Sequence, residues 1–212
     1  MRKALYVALF FAFCAPLAHA QDIQRGEFGG GYSANWVDTQ GAFSTNTNSD
    51  NRDRFDGFYV NGGYNFSRFL GVQAEVSHTR KTVDFQNFIF QPVRLEGRLT
   101  QGLVGIKVQD NSSETVVRPF ARALVGVGHA TADLTTTTSS TTFVNTHDDD
   151  NGFAAVLGGG IGIRVARHVD FVASADYNPI HLSDNSTVGT GSDWTHNFRA
   201  GVGINFRFGG SK

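Results

Sequence analysis

His181 stands two residues before Ser183, a base and a hydroxyl that could serve acyl transfer if the imidazole took the proton from the nucleophile. Asn185 follows, but no carboxylate is placed to orient the imidazole. A second set, His147 with Asp148, Asp149 and Asp150, offers donors for a divalent cation. The same run suits a solvated loop tip, and no metal is expected. A third set is larger. Glu75, Arg94, Glu96, Arg98, Arg122, Arg164, Asp170, Asp176, Arg199 and Arg207 all fall on the polar phase of alternating segments. Both signs are present, and a buried charge is costly unless it is partnered. These residues could form a salt-bridged network that closes an interior, or line a narrow ion path. Gly158-Gly159-Gly160 is not a phosphate loop, because no helix follows it.

The elements that carry these residues read as β-strands. Trp194–Phe208 alternates: Trp194, His196, Phe198, Ala200, Val202, Ile204, Phe206 and Phe208 on one face, and Thr195, Asn197, Arg199, Gly201, Gly203, Asn205 and Arg207 on the other. Period two with two unlike faces marks a strand between two unlike environments. Further strands are predicted at Glu27–Trp36, Phe55–Phe66, from Leu70, from Val93, at Val117–Ala132, from Phe153 and from Val169. In the fourth, Val93, Leu95 and Leu99 oppose Arg94, Glu96 and Arg98, and a bulge at Gln101-Gly102 would account for a change of phase beyond it. Long connections are read at Val37–Arg54, Lys81–Pro92, Leu134–Asn151 and Pro179–Asp193, the second of them able to extend its strands as a hairpin. The connections between them are short. Eight strands with alternating long and short connections make an even-numbered up-and-down barrel with both termini at one end.

Composition narrows the setting. The chain has 212 residues, a formal net charge of −1 and 40% hydrophobic residues, with 25 Gly and 19 Phe. One domain is expected, and the near-neutral charge without a basic face speaks against nucleic acid. Arg2 and Lys3, the apolar run Ala4–Leu17 and Ala18-His19-Ala20 have the form of a cleaved signal peptide, so residues 1–20 are assigned to it and 21–212 to the barrel. Loss of Arg2 and Lys3 takes the charge from −1 to −3. Cys14, the single cysteine, leaves with that segment, and Phe13 before it does not suit lipidation. No later segment has roughly 20 apolar residues in a row, which excludes a transmembrane helix. Volume decides which face of the barrel is inside. An eight-stranded interior barely holds its own side chains. The set Trp36, Phe58, Tyr64, Phe66, Phe153, Phe171, Tyr177, Trp194, Phe198, Phe206 and Phe208 is too bulky for it. The Gly-, Ser- and Asn-rich set would fit, which places the apolar face against lipid.

Gly-rich alternating strands, the Ala18-x-Ala20 signal end and the ending G-I-N-F-R-F together resemble the small outer-membrane β-barrels of OmpA and OmpX type. The resemblance implies an all-β, eight-stranded antiparallel up-and-down transmembrane barrel in the outer membrane of a Gram-negative-type bacterium, both termini periplasmic. It implies that Gly203, Phe206 and Phe208 form the signal read by the barrel-assembly machinery. Gly201 stands where the pattern has a polar residue, and Gly-Gly-Ser-Lys follows Phe208. The expected partners are outer-membrane lipid and lipopolysaccharide, with an extracellular partner at the four loops; no cofactor and a monomer are expected. The functional expectation is a structural or surface-interaction protein rather than an enzyme, with a small porin as one alternative. The other is a lipid A-modifying enzyme, since the His181-x-Ser183 pair faintly resembles the arrangement in lipid A deacylases.

Overall fold

A computed structural model describes residues 23–39, 52–86, 92–138, 141–182 and 194–209. Eight strands follow in chain order: β1 (Gly26–Asp38), β2 (Arg52–Asn65), β3 (Leu70–Gln86), β4 (Pro92–Gln109), β5 (Val117–Thr138), β6 (Thr141–Ala166), β7 (Val169–Leu182) and β8 (Trp194–Phe208). Each is antiparallel to its sequence neighbour, and β1 pairs with β8, so the sheet closes into a barrel without an edge. Closure satisfies the backbone groups that hydrocarbon could not.

Alternation sets the two faces. On β8, Asn197, Arg199, Asn205 and Arg207 are buried, while Phe198, Val202, Ile204, Phe206 and Phe208 are exposed. The same holds on β2, with Tyr59, Asn61 and Asn65 inside and Phe58, Val60 and Tyr64 outside. Large apolar side chains outside and amides and charges inside are the reverse of a soluble barrel.

The short connections lie at the end where the chain enters β1. In the β4–β5 turn the Asp110 carboxylate accepts hydrogen bonds from Arg68 Nε (3.3 Å), the Ser112 amide (3.1 Å) and the Thr115 hydroxyl (2.9 Å). Partial burial works to raise the Asp110 carboxyl, but these donors outweigh it and hold it below the ordinary carboxylate value. Gln24 and Asn65 stitch the incoming chain to this end: the Gln24 amide donates to Asn111 O (3.1 Å), and Asn65 Nδ2 to Gln24 O (2.9 Å).

Several sequence expectations change at the opposite end. The regions Lys81–Pro92 and Leu134–Asn151 are not mainly loops: strands run on through Gln86, from Pro92, to Thr138 and from Thr141. There is no bulge at Gln101-Gly102, where β4 keeps one register with β3 and with β5 throughout. The irregularities are at Leu134/Thr135 and at Arg164/Ala166. With a single phase along β4, Val93, Leu99, Gln101, Leu103, Lys107 and Gln109 point inward. Arg94, Glu96 and Arg98 point outward and do not enter the lumen. The apparent change of phase is a change of surroundings. Beside lipid the outer face is apolar. Beyond it the outer face meets water and becomes polar, while the inner face becomes the dry one. Residues 87–91 of the Lys81–Pro92 connection lie outside the described residues.

Candidate functional site: the charged lumen

Four strands deliver the central network. Glu75 (β3), Arg122 (β5), Asp176 (β7) and Arg199 (β8) are all buried and meet across the barrel. Arg122 Nη1 lies 2.7 Å from Glu75 Oε2, while its Nε and Nη2 reach the two Asp176 oxygens at 3.1 and 2.6 Å. Arg199 donates to Asp176 Oδ2 from Nε (3.3 Å) and Nη2 (3.2 Å). Its Nη1 sits 2.7 Å from Glu75 Oε1, an ion contact without hydrogen-bond direction. Two guanidinia against two carboxylates make this tetrad neutral, and the fork geometry of arginine lets each cation serve both acids.

A second network lies nearer the short-turn end. Asp170 takes both oxygens to Arg118 Nη1 (2.8 and 2.6 Å) and lies 3.6 Å from Arg207 Nε. Arg207 Nη2 also donates to Glu27 (3.2 Å) and to Asn111 (3.0 Å), and Lys107 pairs with Glu27. Three cations here face two acids, and Arg164, the cross-strand partner of Asp170, adds a fourth cation at the same end. Arg164 Nε and Nη2 have no hydrogen-bond partner among the described residues.

Between the networks is a small polar cavity lined by Tyr59, Gln73, Lys107, Phe120, Arg122 and Ser174, among others. The Phe120 ring lies under both Lys107 (5.5 Å) and Arg122 (5.9 Å), a cation–π arrangement inside the lumen. Gly160 makes room for that ring: a Cβ there would lie 2.8 Å from Phe120 Cζ and 2.0 Å from Ala173 O. Gly203 plays the same part for Tyr59, whose hydroxyl would be 2.6 Å from an added Cβ.

Beyond the tetrad, toward the long-hairpin end, the lumen changes character. Gln101 and Asn178 exchange amide hydrogen bonds at 3.1 and 3.0 Å. Leu99, Leu103, Leu124, Ala154, Val156 and Ile180 then pack into a buried apolar cluster, with Val37 of β1 and Ala130 against it. Leu124 is the next inward residue after Arg122 on β5, and Ile180 comes after Asp176 and Asn178 on β7. Farther out, Lys81 pairs with Asp53 at 2.5 Å.

Of the sequence candidates, the structure brings together Glu75, Arg122, Asp176 and Arg199, and separately Asp170 and Arg207. It leaves Arg164 unpaired among the described residues and puts Arg94, Glu96 and Arg98 on the outer surface. Sequence reasoning did not reach Glu27, Lys107, Arg118 or the apolar cluster. His181 is on the outer face, 5.2 Å from the Trp194 ring; Ser183 lies outside the described residues. On β6, His147 and Asp149 are exposed and Asp150 is buried, so the run is divided between two faces. His147 Nδ1 lies 2.5 Å from Asp133. Among the described residues no three His, Cys, Asp or Glu side chains converge as metal ligands. Phe206 and Phe208 are exposed at the short-turn end of β8, and Gly203 is on its lumen side.

A closed eight-stranded barrel with lipid-suited side chains outside and paired charges inside defines a small membrane-spanning β-barrel. The chain matches the outer membrane protein beta-barrel domain over residues 5–206 and belongs to that family. It is an outer-membrane barrel. Among solved structures it is similar to Ail, the attachment invasion locus protein of Yersinia pestis, at 17% identity and a TM-score of 0.54, over 88% of this chain and 99% of that one. Ail in complex with the heparin analogue sucrose octasulfate gives 17% identity and 0.53, over 87% and 98%. Neisserial surface protein A gives 11% identity and 0.48, over 86% and 97%. No curated protein sequence matches the chain. At these identities the likeness to Ail is one of fold.

Proposed function

We propose that the protein is a non-conducting outer-membrane scaffold that presents its long hairpins outside the cell for surface interaction. The apolar cluster of Leu99, Leu103, Leu124, Ala154, Val156 and Ile180 carries the proposal. It lies in series with the tetrad, and Val37 meets it from β1. An ion passing along the axis would have to displace paired charges and then pass an apolar cluster whose polar neighbours Gln101 and Asn178 are already bonded to each other, so its desolvation would be poorly compensated. The interaction role rests on β3–β6, whose strands continue past the lipid-facing residues and turn polar on the outside, at Arg80, Arg94, Arg98 and Asp149. The long hairpins are assigned to the exterior and both termini to the periplasm, with residues 1–20 removed as a signal peptide. Phe206 and Phe208 are assigned to recognition by the assembly machinery, supported by their exposure at the end of the closing strand.

Reconstitution into planar bilayers tests the closed lumen. The wild-type barrel is expected to be electrically silent. A steady conductance that disappears in Glu75→Ala or Arg199→Ala would establish an ion path through the tetrad and overturn the proposal.

A further inference from the structure

Arg80 and Arg98 are direct partners across β3 and β4, with both side chains exposed on the outer face. Like charges placed directly opposite each other destabilise a strand pair. Arg98 is held by Glu96 at 2.8 Å and lies 3.9 Å from Asp133. Arg80 is placed differently. Its partner across β2 is Asp56, but that carboxylate already binds Arg54 Nε at 2.8 Å and the Tyr32 hydroxyl. No acid lies within ion-pair distance of Arg80 among the described residues. Lys81, beside it in sequence, points inward to Asp53.

The level of this pair in the barrel matters as much as its charge. One outward position toward the short-turn end, His78 and Thr100 are partners, joined at 2.9 Å. Next come Val76 and Gly102, and the outward face below is apolar: Val72 and Ala74 on β3, Val104 and Ile106 on β4. The two arginines therefore stand at the upper edge of the lipid-facing surface, where the polar heads of a bilayer begin.

We propose that Arg80 and Arg98, with His78 and Thr100 beneath, bind a phosphate of an anionic outer-leaflet glycolipid. The proposal rests on the orientation given above. Guanidinium forks match phosphate oxygens two at a time. An anion between Arg80 and Arg98 converts their repulsion into two attractions. The site faces sideways, into the headgroup layer, so a lipid reaches it more readily than a soluble protein does. Partial exclusion of water there strengthens the contacts over those at a free surface.

The test uses the full barrel refolded into phosphatidylcholine vesicles with or without lipopolysaccharide on both leaflets, in chelator so that no divalent cation bridges Glu96 or Asp133. The readout is the temperature at which the folded band converts to the unfolded band on a denaturing gel. Lipopolysaccharide is expected to raise it for wild type. The rise should be lost in Arg80→Gln/Arg98→Gln, retained in part by Arg80→Lys/Arg98→Lys, and unchanged by Arg167→Gln in the β6–β7 turn. Dephosphorylated lipopolysaccharide should give no rise. If the glutamine pair does not yield a folded band, Arg80→Gln alone is expected to lose part of the rise. An undiminished rise in the glutamine variants, or an equal rise with dephosphorylated lipid, overturns the site. A full rise from inorganic phosphate in phosphatidylcholine vesicles overturns the lipid assignment. With glycolipid on both leaflets the result does not depend on orientation, so a failure here is distinct from a failure of the proposed orientation.

Discussion

Arg122 and Arg199 each touch both acids of the tetrad, but Arg122 alone donates hydrogen bonds to both. Arg122→Ala would leave Glu75 and Asp176 to share Arg199, and breaking a buried pair in this way costs about 3–5 kcal/mol. Urea unfolding of the vesicle-embedded barrel, followed by tryptophan fluorescence, should show that loss. Glu75→Gln combined with Arg122→Met should lose less than Arg122→Ala, because no unpaired charge is created. Equal stability of Arg122→Ala and wild type would remove the tetrad as a stabilising element. The tetrad was legible in the sequence because each member sits in a strand with unbroken alternation. Glu27, Lys107 and Arg118 were not, for local reasons. Glu27 opens its strand, Arg118 precedes Pro119, and Lys107 lies beyond the supposed bulge. Uninterrupted period two puts Lys107 on the same face as Leu99, a face that the sequence reading set against lipid.

At the scale of the strand, β4 shows why alternation is a safer guide than polarity. Its register holds from Pro92 to Gln109, yet the polar residues are outside at one end and inside at the other. Period two reports which residues share a face, and only the surroundings say which face is wet. The sequence therefore revealed eight strands and their order, but misassigned Arg94, Glu96 and Arg98 and missed the apolar cluster to which their opposite phase contributes Leu99 and Leu103. Adjacent residues on β5 test the distinction. Leu124 is buried in the cluster and Val125 is half exposed on the lipid side. Leu124→Ala is expected to cost about 2–5 kcal/mol, as core truncations do. Val125→Ala should cost clearly less, because lipid closes over the lost methyl groups. Equal losses in the same urea experiment would mean that the cluster is not a packed core.

For the whole molecule, orientation and processing can be read together, because the chain has no cysteine after Cys14. Thr135→Cys, at the long-hairpin end of β5, should react with a membrane-impermeant maleimide on intact cells. Ser113→Cys, in the β4–β5 turn, should react only after the envelope is opened. The intact mass of either protein should correspond to a chain starting at Gln21. The reverse labelling pattern would invert the barrel, and a mass retaining Met1 would refute cleavage. The outer surface carries one more consequence. The unbroken apolar stretch facing outward runs from Leu70 to Val76 on β3 and from Gly102 to Val108 on β4, but from Phe153 to Val165 on β6. At ~3.3 Å per residue and ~40° of tilt these are roughly 15 Å and 30 Å of height, against a usual band of about 25 Å. The barrel is thus lopsided toward its solvent. A bilayer meeting it must pinch on the β3–β4 side and stretch on the β6 side, or the barrel must lean, at fractions of a kcal/mol per Å. A pinched leaflet has thinner, more easily disordered acyl chains, so the protein would act on the elasticity of its membrane from one flank only.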